Sequence, residues 1–359
     1  MAYGSRFFTL TFKVSAFLLL FGLLPVVGSA QVPVPRGNRT LTVDITVPEN
    51  GDYVGAFQTA KQSGMQDAVL HLSWPDIEAE PGQYSNVFLG AASQFYPAYQ
   101  TSIDLVLSPI STNRKVVPAD LMNVNFDDPL MIYRYFFALD YTLGQLQSAQ
   151  VRSLVIGMEV DSYLGSDDVK WQQFETFYMY VSRYLHWKWP GIKVGVEATL
   201  KGLTDPTLQT RLLKLNQYSD AIAVSYYPVN GDFTVQDPTV VSSDFKALTA
   251  VYTDKPIRFF QLGYPSSPGV NSSEVLQDAF VREVFKAWDE YASQIDFITF
   301  TWLHDVPAPV VSQSLAFYGL QDDKFKDFLS SLGLRTYAGS GSNKLSFSTF
   351  QVEAKARGW

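Results

Sequence analysis

The chain has no cysteine in 359 residues, so no disulfide braces it and no thiolate is available as a nucleophile or metal ligand. Histidine is almost absent: His71, His186 and His304 stand far apart, without the spacing that lets two imidazoles share an ion. No metal and no cofactor is expected. Positive charge is in deficit, with 27 Lys and Arg against 35 Asp and Glu and no basic run. That balance argues against nucleic acid and anionic membranes as partners. A glycine-rich phosphate loop after an early strand is missing, which disfavours an open doubly wound sheet. Internal repeats are missing as well, which disfavours a solenoid. Gly339-Ser340-Gly341 is the nearest approach to a serine nucleophile elbow, and it lacks the strand–turn–helix setting.

Long apolar runs are equally scarce, and the single prominent one covers 16–27. It follows Arg6 and Lys13 and precedes Gly28-Ser29-Ala30, the pattern of a secretory signal peptide over 1–30. The run is short for a membrane span, which needs about 20 residues. A cleaved leader would place the protein in the periplasm or outside the cell. Its removal takes away Arg6 and Lys13, leaving 25 basic against 35 acidic groups and a formal charge of −10. With no disulfide, an exported chain must rely on a large core, and some 330 residues can supply one. Residues 31–39, rich in Pro, Gly and Asn, read as an extended lead-in. Aromatics are plentiful at 15%, which suits both core packing and clefts that stack sugar rings.

From residue 40 onward short apolar runs alternate with amphipathic segments. The pattern predicts strands over 41–47, 68–74, 103–110, 153–159, 193–199, 221–227, 257–262 and 295–302. Helical stripes intervene: Ile132, Phe136, Leu139, Leu143 and Leu146 share one face, as do Trp171, Phe174, Tyr178, Val181 and Leu185. A last helix is expected over 314–332. Eight strand–helix units predict an α/β protein, a single (β/α)8 TIM barrel over 40–335. Beyond it, 336–359 reads as a flexible C-terminal tail.

In such a barrel the chemistry sits where the strands end. The fourth strand ends in Ile156-Gly157-Met158-Glu159-Val160-Asp161, and the seventh in Gln261-Leu262-Gly263-Tyr264-Pro265. Further motifs are Ser73-Trp74 with Ile77-Glu78-Ala79-Glu80-Pro81-Gly82 after strand two, Tyr226-Tyr227-Pro228 after strand six, and Trp302 ending strand eight. Together they resemble clan A of the retaining glycoside hydrolases, the group that includes endo-galactanases and cellulases. The resemblance implies Glu159 as acid/base. It also implies a nucleophilic Glu at the end of strand seven and an Asn before the acid/base. Here Gln261 and Met158 stand in those two places.

A retaining glycosidase needs two carboxyl groups about 5–5.5 Å apart, and an amide oxygen is a poor nucleophile. If the rest of the cleft is intact, Gln261→Glu should raise retaining hydrolysis. Substitute bases are Asp305 and Glu197, either of which could serve an inverting route at about 6.5–9.5 Å. An acetamido group on the substrate is another way round the missing acid. Candidate sugar contacts are Trp74, Tyr227, Tyr264, Trp302 and His304. Three functions stay open: a hydrolase of β-linked polysaccharide with an unconventional partner for Glu159, a non-catalytic glycan-binding protein, and a structural envelope protein. The expected partner is a polysaccharide or oligosaccharide, bound by a monomer.

Overall fold

The computed structural model describes residues 32–359, so the leader expected over 1–30 lies outside the described residues. Eight parallel strands follow in order: β1 (Thr40–Val43), β2 (Asp67–Ser73), β3 (Ser102–Ser111) and β4 (Val151–Met158). Next come β5 in two pieces (Lys193–Gly195 and Glu197–Thr199), β6 (Ile222–Tyr226), β7 (Ile257–Leu262) and β8 (Ile295–Phe300).

From β2 to β8 each strand pairs with the next in sequence, and β8 returns to β1 with Thr40 opposite Phe297. The break in β5 lets its first piece pair with β4 and its second with β6. Only β1 and β2 lack a ladder, and there Gln66 N–H donates to Leu41 O and Thr42 Oγ1 to Asp67 O, both within hydrogen-bond reach. The ring of strands is therefore closed, as the alternation of elements predicted.

Inward-facing Val106, Val155, Ala223, Phe260 and Phe297 fill the barrel as a small cluster of their own. Their outward neighbours, such as Phe259 and Leu262, join the larger layer between strands and helices. Below the inner cluster Arg258 plugs the N-terminal end, with Nη1 3.1 Å from Asp104 and Nε 3.3 Å from Asp296. Neither contact is aimed as a hydrogen bond, and the guanidinium instead lies 4.3 Å from the Phe297 ring centroid.

Two expectations are corrected at the C-terminal end of the chain. The helix expected over 314–332 is two helices, Ala308–Tyr318 and Asp323–Ser330, because Gly319 takes a left-handed conformation (φ 69) and stops the first. They are an excursion beside the barrel mouth, with Val311, Phe325, Phe328 and Leu332 forming a satellite core against Tyr227 and Trp302. The helix that completes the barrel wall is Leu345–Arg357, inside the stretch expected to be a flexible tail. Its Phe350 packs on Phe285 and Phe300, Trp359 stacks 4.8 Å from Trp288, and Arg357 pairs with buried Asp289 at 2.7 Å. The Gly- and Ser-rich 338–342 is a turn leading into that helix. Phe347, Phe350, Ala354 and Arg357 are spaced for one buried face.

Among the described residues, no helix is long and apolar enough to cross a membrane.

Candidate functional site

Two backbone kinks shape the end of β4. Gly157 has φ +87, and a Cβ there would meet Val160 Cγ1 at 2.7 Å, so the position takes glycine. Glu159 itself is left-handed, with φ 46 and ψ 46. Together they turn the carboxylate off the strand and into the mouth. Thr112, at the end of β3, donates to its Oε2 at 2.7 Å, and Ser225 of β6 donates to its Oε1. Both carboxylate oxygens are thus held by hydroxyls at the ends of two other strands.

Gln261 reaches the same mouth by another device. Strict alternation along β7 would send it outward, since Arg258 and Phe260 face in. The register jumps instead, with Val224 opposite Phe259 but Ser225 opposite Gln261. This bulge at Phe260 re-aims the next side chain. The Gln261 amide is then gripped at both ends. Tyr227 donates from its hydroxyl to Oε1 at 3.0 Å, and Nε2 donates to both Glu197 oxygens at 3.2 and 3.3 Å. Tyr227 can approach because residue 263 is glycine; a Cβ there would lie 2.9 Å from the Tyr227 ring and 2.8 Å from Thr301 O.

Glu197 is fully buried. Burial pushes its carboxyl well above the usual range, the Glu159 charge adds to the rise, and the Gln261 hydrogen bond opposes it. It lies under the floor, with both oxygens facing the Gln261 amide. Asp161 is likewise enclosed, accepting from the Thr199 amide at 2.9 Å and the Thr199 hydroxyl at 2.6 Å. Burial pushes it up to about 6 against the pull of those bonds.

A cavity of about 930 Å³ opens above, lined by Glu159, Gln261, Ser225, Tyr227, Trp302 and Tyr318 among others. Of the candidate sugar contacts, Tyr227 and Trp302 line it, and the remaining three do not. Trp74 is fully buried, donating to Glu78 at 2.8 Å and meeting Tyr135 edge-on at 4.9 Å. Tyr264 is core, stacked on Phe280 with its hydroxyl on Gln236 O at 2.6 Å. His304 is enclosed between Thr46 O at 2.8 Å and Arg335 Nε at 3.1 Å. Asp305 pairs with Lys344 at 2.7 Å and lies outside the cavity lining. Of the two carboxyls considered as substitute bases, Glu197 is therefore beneath the floor and Asp305 is engaged with Lys344.

Thr112, Ser225 and Tyr318 were not legible as site residues. Ser225 alone carried a signal, as a polar residue near the end of an apolar strand. Among the described residues, no cluster of His, Asp and Glu could hold a metal ion.

No family model matches the sequence, and neither does any curated protein. Solved structures do match in fold. An exo-β-1,4-mannosidase from Opitutaceae bacterium strain TAV5 superposes with TM-score 0.68 at 16% identity, over 89% of this chain. The chain spans 59% of that enzyme's length. A GH5_18 protein of Bifidobacterium longum subsp. longum ATCC 55813, solved with Manβ1-4GlcNAc, gives 0.69 at 14% identity over 88% of this chain and 78% of that one. The GH53 catalytic domain of Ignisphaera aggregans gives 0.60 at 17% identity over 86% and 91%. The chain thus shares the (β/α)8 barrel fold of glycoside hydrolases.

Proposed function

We propose that this barrel binds a β-linked glycan at its C-terminal mouth and does not hydrolyse it by double displacement. The observation that carries the reading is the state of Gln261. Its amide stands at the strand-seven position, lining the same cavity as Glu159 and gripped by Tyr227 and Glu197. No ionised carboxylate is free to attack an anomeric carbon from there, and retention requires one. Support for glycan as ligand comes from the cavity, where aromatic Trp302 and Tyr227 stand beside hydrogen-bonding Glu159 and Ser225, the mix that hydroxylated rings need. The neighbours point the same way, since one is a β-mannosidase and another was solved with Manβ1-4GlcNAc. Glu159, fixed by Thr112 and Ser225, would accept hydrogen bonds from sugar hydroxyls. The leader read over 1–30 would deliver the protein to the periplasm or beyond the cell.

The test is titration calorimetry with β-1,4-mannan, galactan and cello-oligosaccharides, paired with a reducing-end assay on the same mixtures. Saturable binding without new reducing ends is the expected result. Reducing ends that appear with the native chain and vanish in Glu159→Gln would overturn it in favour of a hydrolase. Absence of binding to every glycan would leave the barrel as scaffold.

A further inference from the structure

A second, smaller cavity of about 220 Å³ opens beside Trp302, between the ends of β1 and β2. Trp302 lines both cavities and so forms the wall between them. The remaining lining is unusual in its balance. Tyr53, Tyr96 and Phe88 make it aromatic, while Asp44 and His71 supply the ionisable groups. No Lys or Arg lines it.

Asp44 is only 7% exposed. Its backbone is fully engaged with strand eight, its N–H donating to Phe300 O at 2.9 Å and its carbonyl accepting from Leu303 N–H at 2.8 Å. Its carboxylate is not. Among the described residues Oδ1 has no hydrogen-bond partner, and Oδ2 has only long contacts, 3.5 Å to His71 Nε2 and 3.5 Å to Thr301 Oγ1. A buried carboxylate left this short of donors is costly unless a ligand completes it. The tyrosines do not compete for it, since the Tyr53 and Tyr96 hydroxyls bond each other at 2.7 Å.

From this geometry we infer that the smaller cavity is a subsite for a hexose unit carrying a free amino group, as in a β-linked glucosamine chain. The inference rests on the glycan-binding reading above and adds its specificity. The volume suits one sugar ring. An ammonium group supplies three donors and a positive charge to Asp44, and the aromatic side chains of Trp302 and Tyr53 that line the cavity are of the kind that attracts cations. A uronic acid would meet Asp44 with like charge, and no Lys or Arg lines the cavity to offset it.

The experiment is calorimetry at pH 6 with the β-1,4-linked glucosamine tetramer and its fully N-acetylated counterpart, plus a neutral mannotetraose. The native chain should bind the amine form at least tenfold more tightly than the acetylated form. In Asp44→Asn that preference should vanish while mannotetraose affinity is kept. His71→Lys, a change at a half-exposed side chain, should do the same by placing a cation in the cavity. General attraction between an acidic protein and a cationic oligomer cannot imitate this, because removing one charge of many would barely change it. Equal affinities in the native chain, or a preference surviving both variants, overturns the inference while leaving glycan binding intact. Failure to bind any of the three oligomers overturns this inference, and the reading beneath it falls with it only if mannan, galactan and cello-oligosaccharides also fail to bind.

Discussion

The side-chain amide of Gln261 lies 3.2 and 3.3 Å from the two carboxyl oxygens of Glu197, a buried acid pushed well above the ordinary carboxyl range first by burial and then by the Glu159 charge. The two residues form a unit. Position 261 is an amide in a place where a second carboxylate would have to share a proton with the acid beneath it.

This changes what Gln261→Glu should do. Considered as a strand-end motif, the single change restores the missing nucleophile. In the folded barrel it sets two carboxyls about 3.3 Å apart and removes the donor that Glu197 accepts from. The single variant should show no retaining activity and lose about 1–3 kcal/mol of stability. The exchange Gln261→Glu with Glu197→Gln restores the amide–carboxylate pairing in reverse and should recover that stability. Denaturant melts of the native chain and the two variants measure this. A single variant as stable as the native chain would contradict the coupling.

The pH dependence of stability follows from Asp161, pushed up to about 6 from the ordinary 3.8, chiefly by burial. The folded chain holds this proton over a range where the unfolded chain releases it. Its contribution is therefore present below about pH 4 and is lost as pH rises through 6. Asp67, raised to about 6 by burial and then by the nearby Asp104 charge, acts with the same sign. In Asp161→Asn the fall in melting temperature between pH 4 and 6 should flatten, by the equivalent of at most about 3 kcal/mol. A slope identical to the native one would rule out Asp161 as a source.

Arg258 stands between Asp104 and Asp296 at the closed end of the barrel. Arg258→Ala removes the cation and leaves a buried carboxylate, a change that costs about 3–5 kcal/mol. Arg258→Met with Asp104→Asn should cost less, since it removes charge of both signs. Chemical denaturation of the two variants gives the comparison, and equal losses would argue for a cavity effect instead.

The helix Leu345–Arg357 closes the barrel wall over Phe285 and Phe300. Phe350→Ala should lower stability by about 3–5 kcal/mol, as expected for an aromatic ring lost from a core. Truncation after residue 343 should prevent soluble folding. A truncated chain with native circular dichroism and an unchanged melt would show the helix to be dispensable.

The alternation of strand and helix patterns, and the placing of Glu159 and Gln261 at strand ends, were legible in the chain itself. They follow from local rules: a buried parallel strand is a short apolar run, a wall helix carries one apolar stripe, and polarity returns where each strand surfaces. Local rules also explain the misreadings. Trp74 and Tyr264 carry polar atoms and follow strand ends, yet Glu78 and the Gln236 carbonyl satisfy those atoms inside the core. The sequence has no way to name such partners.

What only the tertiary structure decided is how side chains from distant strands meet. One inserted residue in the β7 register turns Gln261 inward, where it meets Glu197 from β5, 64 positions away. Packing also decided which late segment completes the wall, because 308–330 and 345–357 are both amphipathic and only one has the β8 face as its partner. Periodicity reports that a face will be buried. It takes the closed ring of strands to settle what that face is buried against, and whether a carboxyl at the mouth is free to react.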